Sequence, residues 1–212
     1  MLQFFRPSLF LLIFLVVYNS ANAQFKQTGR WKALVALGFN YPTTDGFVAG
    51  TYAQSINFPT VNLGIQHMFK KEYGLRLDYG FNRLKNDNGS PEFKINYSRV
   101  NAQFVFDLTD NLGFVPRRMR TILHAGPGYS FTKPLGNLGG KGQSYFNLLG
   151  GFELHYAINE KVSLFTDIAY IYGLTSLEDY KPPLDGLGAF NGSVFNVTLG
   201  LAISLSGCQY CD

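Results

Sequence analysis

The feature that most constrains this chain is an alternation of apolar and polar residues that recurs in eight separate segments downstream of residue 30. In the third segment Tyr73, Leu75, Leu77, Tyr79 and Phe81 alternate with Gly74, Arg76, Asp78, Gly80 and Asn82. A period of two puts successive side chains on opposite faces of an extended strand. The first segment sets Trp31, Ala33, Val35, Leu37, Phe39 and Tyr41 against Lys32, Leu34, Ala36, Gly38 and Asn40. The second sets Val61, Leu63, Ile65 and Phe69 against Thr60, Asn62, Gly64 and Gln66, and the fourth sets Val100, Ala102, Phe104 and Phe106 against Arg99, Asn101 and Gln103. In the fifth, Leu123, Ala125, Tyr129 and Phe131 oppose His124, Gly126, Gly128 and Ser130; in the sixth, Phe146, Leu148, Phe152, Leu154 and Tyr156 oppose Asn147, Gly151, Glu153 and His155. The seventh, residues 162–172, turns Asp167 and Ala169 to the polar face. The eighth sets Phe195, Val197, Leu199, Leu201, Ile203 and Leu205 against Asn196, Thr198, Gly200, Ala202 and Ser204.

The side on which the charges fall decides between two kinds of barrel. A soluble barrel holds its bulky residues inside and its charges outside. Here Arg76, Asp78, Arg99, Glu153 and Asp167 share a face with the glycines, while the bulky residues share the other. Each segment is about ten residues, the length a tilted strand needs to cross a hydrocarbon layer. Tyr, Trp and Phe near the segment ends suit the aromatic belts of the two interfaces. Charged residues make up 15% of the chain, against roughly 25% in soluble domains. Only helices and closed barrels satisfy the backbone in lipid. The expected fold is therefore all-β: an eight-stranded antiparallel up-and-down transmembrane β-barrel, one domain over residues 24–205. A net charge of +4 gives no case for nucleic acid as a partner.

Residues 1–23 have the layout of a signal peptide. Arg6 precedes an apolar run at residues 9–18, and Ala21-Asn22-Ala23 offers a small-residue cleavage site before Gln24. No Cys follows the run, so no lipid anchor is expected. Residues 206–212 form a short tail in which Cys208 and Cys211, spaced C-x-x-C, make a possible disulfide. The connections alternate in length. Residues 70–72 and 159–161 are short turns, and residues 109–120 form a longer basic one with Arg117, Arg118 and Arg120. The remaining connections, residues 42–59, 84–93, 132–143 and 173–193, are long and rich in Gly, Pro, Asn and Asp. Outer-membrane barrels keep short turns in the periplasm and long loops outside. That rule places both ends of the chain in the periplasm of a Gram-negative envelope.

Three stretches carry a family likeness: Phe58-Pro-Thr-Val-Asn-Leu-Gly-Ile, Tyr73-Gly-Leu-Arg-Leu-Asp-Tyr-Gly-Phe and Leu123-His-Ala-Gly-Pro-Gly-Tyr-Ser. Over residues 31–205 the chain resembles the barrel domain of OmpA-like outer-membrane proteins of the Bacteroidetes type. The final strand, with Thr198, Gly200, Ile203 and Leu205, resembles the assembly signal read by the barrel-assembly machinery. It departs from the commonest form in ending on Leu rather than Phe. Many such relatives carry a peptidoglycan-binding domain after the barrel. None follows here, so direct tethering to the wall is not expected.

An eight-stranded barrel has an interior just wide enough for side chains to fill it. The inward Lys32, Arg76, Asp78, Arg99, Asn101, Gln103, His124, Glu153, His155 and Asp167 are expected to form a polar network that plugs the lumen. A narrow ion path through the same residues is the competing expectation. Catalysis is not expected. Glu153 and His155 share a strand face, yet no nucleophile accompanies them, and the His-x-Ser pairing of lipid A deacylases of this shape is missing. Residues 138–142 have the wrong glycine spacing for a phosphate loop. No zinc or calcium spacing is evident, and no cofactor is expected. The expected role is structural or scaffolding, with outer loops such as residues 173–193, bearing Tyr180, Pro182, Pro183 and Phe190, meeting surface partners. The alternative is a low-conductance pore or an accessory subunit of a transport or secretion complex. Expected partners are outer-membrane lipid and lipopolysaccharide, the assembly machinery, and an envelope protein complex that the basic turn would dock.

Overall fold

The computed structural model describes residues 30–47, 50–135, 142–175 and 190–205. Residues 1–23, expected to be a signal peptide, lie outside the described residues, as do Cys208, Cys211, Tyr180, Pro182 and Pro183. Eight strands run in chain order: β1 (Trp31–Pro42), β2 (Asn57–Met68), β3 (Tyr73–Lys85), β4 (Lys94–Asp107), β5 (Met119–Leu135), β6 (Ser144–Ala157), β7 (Val162–Leu174) and β8 (Val194–Ser204). Each pairs antiparallel with its sequence neighbours, and β1 pairs with β8 from Lys32↔Ser204 to Pro42↔Val194. That last pairing closes the sheet and removes its edges.

Several strands run further than the pattern reading gives, with β1 reaching Pro42, β3 Lys85, β5 Leu135 and β7 Leu174. β2 begins at Asn57 and so takes in Pro59, where the sequence suggests loop. The register with β1 jumps from Gly38↔Thr60 to Asn40↔Asn57, so β2 carries one extra residue there. Such a bulge accommodates a proline that cannot donate to the ladder. β5 begins at Met119, which moves Arg120 from the expected basic turn into the barrel.

The apolar face points outward. Leu77 is 60% exposed and Leu199 is 55% exposed. That face lies open on every strand, as lipid requires and water would penalise. Aromatic contacts gather at both rims. Trp31 lies 4.4 Å from His67, and Tyr73 stacks on Phe106 at 5.9 Å, on the turn side. Phe39 meets Phe58 at 5.5 Å and Tyr129 meets Phe146 at 5.2 Å on the loop side.

Inside, the loop end of the lumen is not polar as the alternation suggests. Leu84, Ile95, Tyr97, Tyr145, Leu149, Ile171 and Val194 point inward there and bury against Phe47, Phe93 and Phe190 from the loops. A stitched pair of loops holds this cap in place. Thr43 N–H donates to Ser193 O at 2.9 Å, Asn191 N–H donates to Gly46 O at 3.1 Å, and Phe47 bridges Phe190. The approach needs glycine on both sides, since a Cβ on Gly192 would lie 2.7 Å from the Gly46 Cα.

Because Leu199 sits midway along β8 on the outward face, Leu199→Arg is expected to cost about 2–4 kcal/mol, the range for an arginine at the bilayer midplane. Urea titration of the barrel refolded in vesicles measures it. A loss below about 0.5 kcal/mol would place Leu199 away from lipid.

Candidate functional site

Below the apolar cap, the inward positions of the central strands turn polar, and two buried ion pairs anchor them. Arg76 on β3 reaches across the barrel to Glu153 on β6, with Nη1 at 2.5 Å from Oε1 and Nη2 at 2.8 Å from Oε2. Arg76 also donates to Gln66 Oε1 from Nε at 3.1 Å and from Nη2 at 2.7 Å. The second pair joins Arg99 Nη1 on β4 to Asp78 Oδ2 on β3 at 2.7 Å. Arg99 and Glu153 are each only 1% exposed. A buried charge costs several kcal/mol unless its partner and its remaining donors are also satisfied. The two-pronged contact of Arg76 with both Glu153 oxygens meets that condition through paired N–H bonds.

The smaller polar groups link the two pairs. Gln103 donates to the other Asp78 oxygen and accepts from His124 Nδ1 at 2.6 Å. His124 Nε2 faces Asp167 Oδ1 at 3.1 Å, and His155 Nε2 donates to Glu153 Oε2 at 2.8 Å. The His155 ring stacks on Phe165 at 4.9 Å. Two guanidinium groups thus face three carboxylates, with the His124 ring held between two acceptors beside the third. Space for Arg99 comes from Gly80, where a Cβ would lie 2.4 Å from the guanidinium carbon.

Nearer the loops the network becomes neutral. Asn101 Nδ2 donates to Asn147 Oδ1 at 2.6 Å, Asn147 Nδ2 to Ser130 Oγ at 2.8 Å, and the Tyr97 hydroxyl meets Ser130 at 2.7 Å. Asn40 Nδ2 donates to Thr60 Oγ1 at 3.0 Å and Asn82 Nδ2 to Asn196 Oδ1 at 3.1 Å. A space of about 20 Å³ remains beside Asp78, Glu153 and Asp167, room for a single water.

Lys32 stands apart from this arrangement. It lines the turn-end mouth and joins none of the ion pairs among the described residues. The mouth has its own pair, Arg120 with Asp107, so Arg120 is held in the rim and is not part of a free basic turn. The Asp107–Arg120 pair was hard to see in the sequence. Asp107 and Arg120 fall where strand and turn meet.

Among the described residues, His124, Glu153 and Asp167 bring potential metal-ligand atoms within 4.8 Å of one another. Both Glu153 oxygens already accept from Arg76, one also from His155, and Asp167 already faces His124. Those contacts satisfy the groups without a metal. Glu153 is itself buried from any substrate surface, while His155 borders the turn-end mouth.

If the pair is held as described, Arg76→Met is expected to destabilise the barrel by about 3–5 kcal/mol by stranding Glu153. The double substitution Arg76→Met with Glu153→Met is expected to regain most of that loss. Urea midpoints of the three proteins test this, and additive losses would mean the two side chains are not coupled.

No protein-family model matches the chain, and no curated protein matches it. Solved structures do. Neisserial surface protein A, NspA, superposes with a TM-score of 0.56 at 12% identity, covering 85% of this chain and 100% of that one. The N-terminal β-barrel domain of Pseudomonas aeruginosa OprF gives 0.52 at 12% identity, covering 84% and 98%. A major outer membrane protein from Thermus thermophilus gives 0.50 at 13% identity, covering 82% and 97%. At these identities the likeness is one of architecture: the chain has the closed eight-stranded barrel fold of outer-membrane proteins.

Proposed function

We propose that this is a non-enzymatic, OmpA-like outer-membrane barrel with a structural role in a Gram-negative envelope of the Bacteroidetes type. It is exported through a cleaved signal peptide, folded by the barrel-assembly machinery, and seated among outer-membrane lipid and lipopolysaccharide with its turns in the periplasm. The observation that carries the reading is the filled lumen. Paired charges occupy the middle and an apolar cap occupies the loop end. Ion conduction needs a continuous wet path, and about 20 Å³ beside the charge network does not supply one. The pore alternative therefore has the weaker support.

Four loops on a rigid scaffold are the natural place for surface contacts. The fixed pairing of the first and last loops through Thr43, Ser193, Gly46 and Asn191 gives part of that surface a defined shape.

The expected result for purified barrel in a planar bilayer is electrical silence. Regular conductance steps that vanish with Arg76→Ala or Asp78→Ala would establish a path through the lumen and sink the structural reading. A mild-detergent pull-down from native membranes completes the test. A stoichiometric partner there would make the barrel an accessory subunit instead.

A further inference from the structure

The sealed loop end contrasts with the turn end, where the lumen widens into an open cavity of about 330 Å³. That volume lies at the lower end of the range for small-ligand sites. Among the described residues its wall carries six Lys or Arg side chains and four Asp or Glu side chains. The acids are partly committed: Asp107 pairs with Arg120, and Asp110 pairs with Lys71 at 2.5 Å. Lys32, Arg117 and Lys161 join none of the ion pairs among the described residues. They converge on the cavity from three parts of the rim: β1, the β4–β5 turn and the β6–β7 turn. The floor is closed by His155, which is bonded to Glu153. Neither the filled lumen nor the apolar cap requires such an excess of cations at the open end.

We propose that this turn-end mouth binds a phosphate monoester, with Lys32, Arg117 and Lys161 as its ligands. A monoester carries about −1.5 to −2 charges at neutral pH, more than a carboxylate or a phosphodiester, and so suits a wall with more basic than acidic side chains. The guanidinium of Arg117 offers paired donors to phosphate oxygens, and the two ammonium groups add point charges. The site is independent of the structural role proposed above, since a silent barrel and a conducting one have the same mouth. The monoester belongs either to a soluble molecule or to a lipid headgroup.

The test uses the refolded protein in maltoside micelles, which contain no phosphate, with labelled inorganic phosphate and glycerol 3-phosphate in equilibrium dialysis. Saturable binding is expected, weakened at least tenfold by Lys32→Gln and by Arg117→Gln. Lys94→Gln at the opposite end of the barrel is expected to leave it unchanged, and heat-modified gel mobility checks that each variant is folded. Absence of saturable binding in the wild type overturns the proposal. So does retention of binding in both mouth variants, or an equal loss in Lys94→Gln. With binding established, the barrel is moved into phosphatidylcholine vesicles with and without phosphatidic acid. Competition by phosphatidic acid assigns a lipid headgroup as the source, and its absence assigns a soluble monoester; either keeps the site.

Discussion

Everything in this molecule depends on the hydrogen bonds between β1 and β8. Without that seam the sheet would present two rows of unpaired N–H and C=O groups to lipid, each costing several kcal/mol. With the seam, every strand has two neighbours and the backbone is satisfied around the circle. Closure then fixes what the side chains do. Alternate residues face hydrocarbon, and the rest share an interior barely wide enough to hold them. The exposed leucines and the buried arginines are two consequences of one circular pairing.

The interior solves its packing problem differently at different depths. In the middle, long charged side chains span the lumen and meet, as Arg76 does Glu153, so that charge fills volume. Amides and hydroxyls follow, and nearest the loops aromatic and aliphatic groups take over. Loops add apolar side chains at that end, and Phe47 and Phe190 are supplied from there. At the other end the turns are short, and what they bring to the rim is mostly charge. The barrel is consequently plugged from one side and open on the other.

Much of the fold was legible because a strand in a barrel wall has a strict two-residue period. Tyr73 to Asn82 gives both faces at a glance, and eight such stretches give the closed sheet. The same alternation assigns the inward face, and Arg76, Asp78, Arg99, Asn101, Gln103, His124, Glu153, His155 and Asp167 are all buried in the structure. Their partners were harder to read. Whether Arg76 meets Glu153 or Asp78 depends on the stagger between β3 and β6, which sets residues 77 positions apart side by side and which local pattern does not encode. The apolar cap was missed for a related reason. Ile95, Tyr97 and Leu149 are inward residues that look like lipid-facing ones, because hydrophobicity alone does not distinguish hydrocarbon outside from a packed core inside. Arg120 was misplaced because it follows Arg117 and Arg118 without a turn residue between, while its true partner, Asp107, lies at the end of the preceding strand.

The ion pair between β3 and β6 also bears on how the barrel is made. Strands β4 and β5 separate its two ends, so neither partner finds the other until the sheet from β3 to β6 has curled. While the sheet is open, Arg76 and Glu153 each need solvation of their own. Water that solvates those charges on the concave face of an open sheet is therefore displaced as the sheet curls and the two side chains meet. Assembly of this protein is in that sense a drying process, in which charges enter wet and finish by solvating one another.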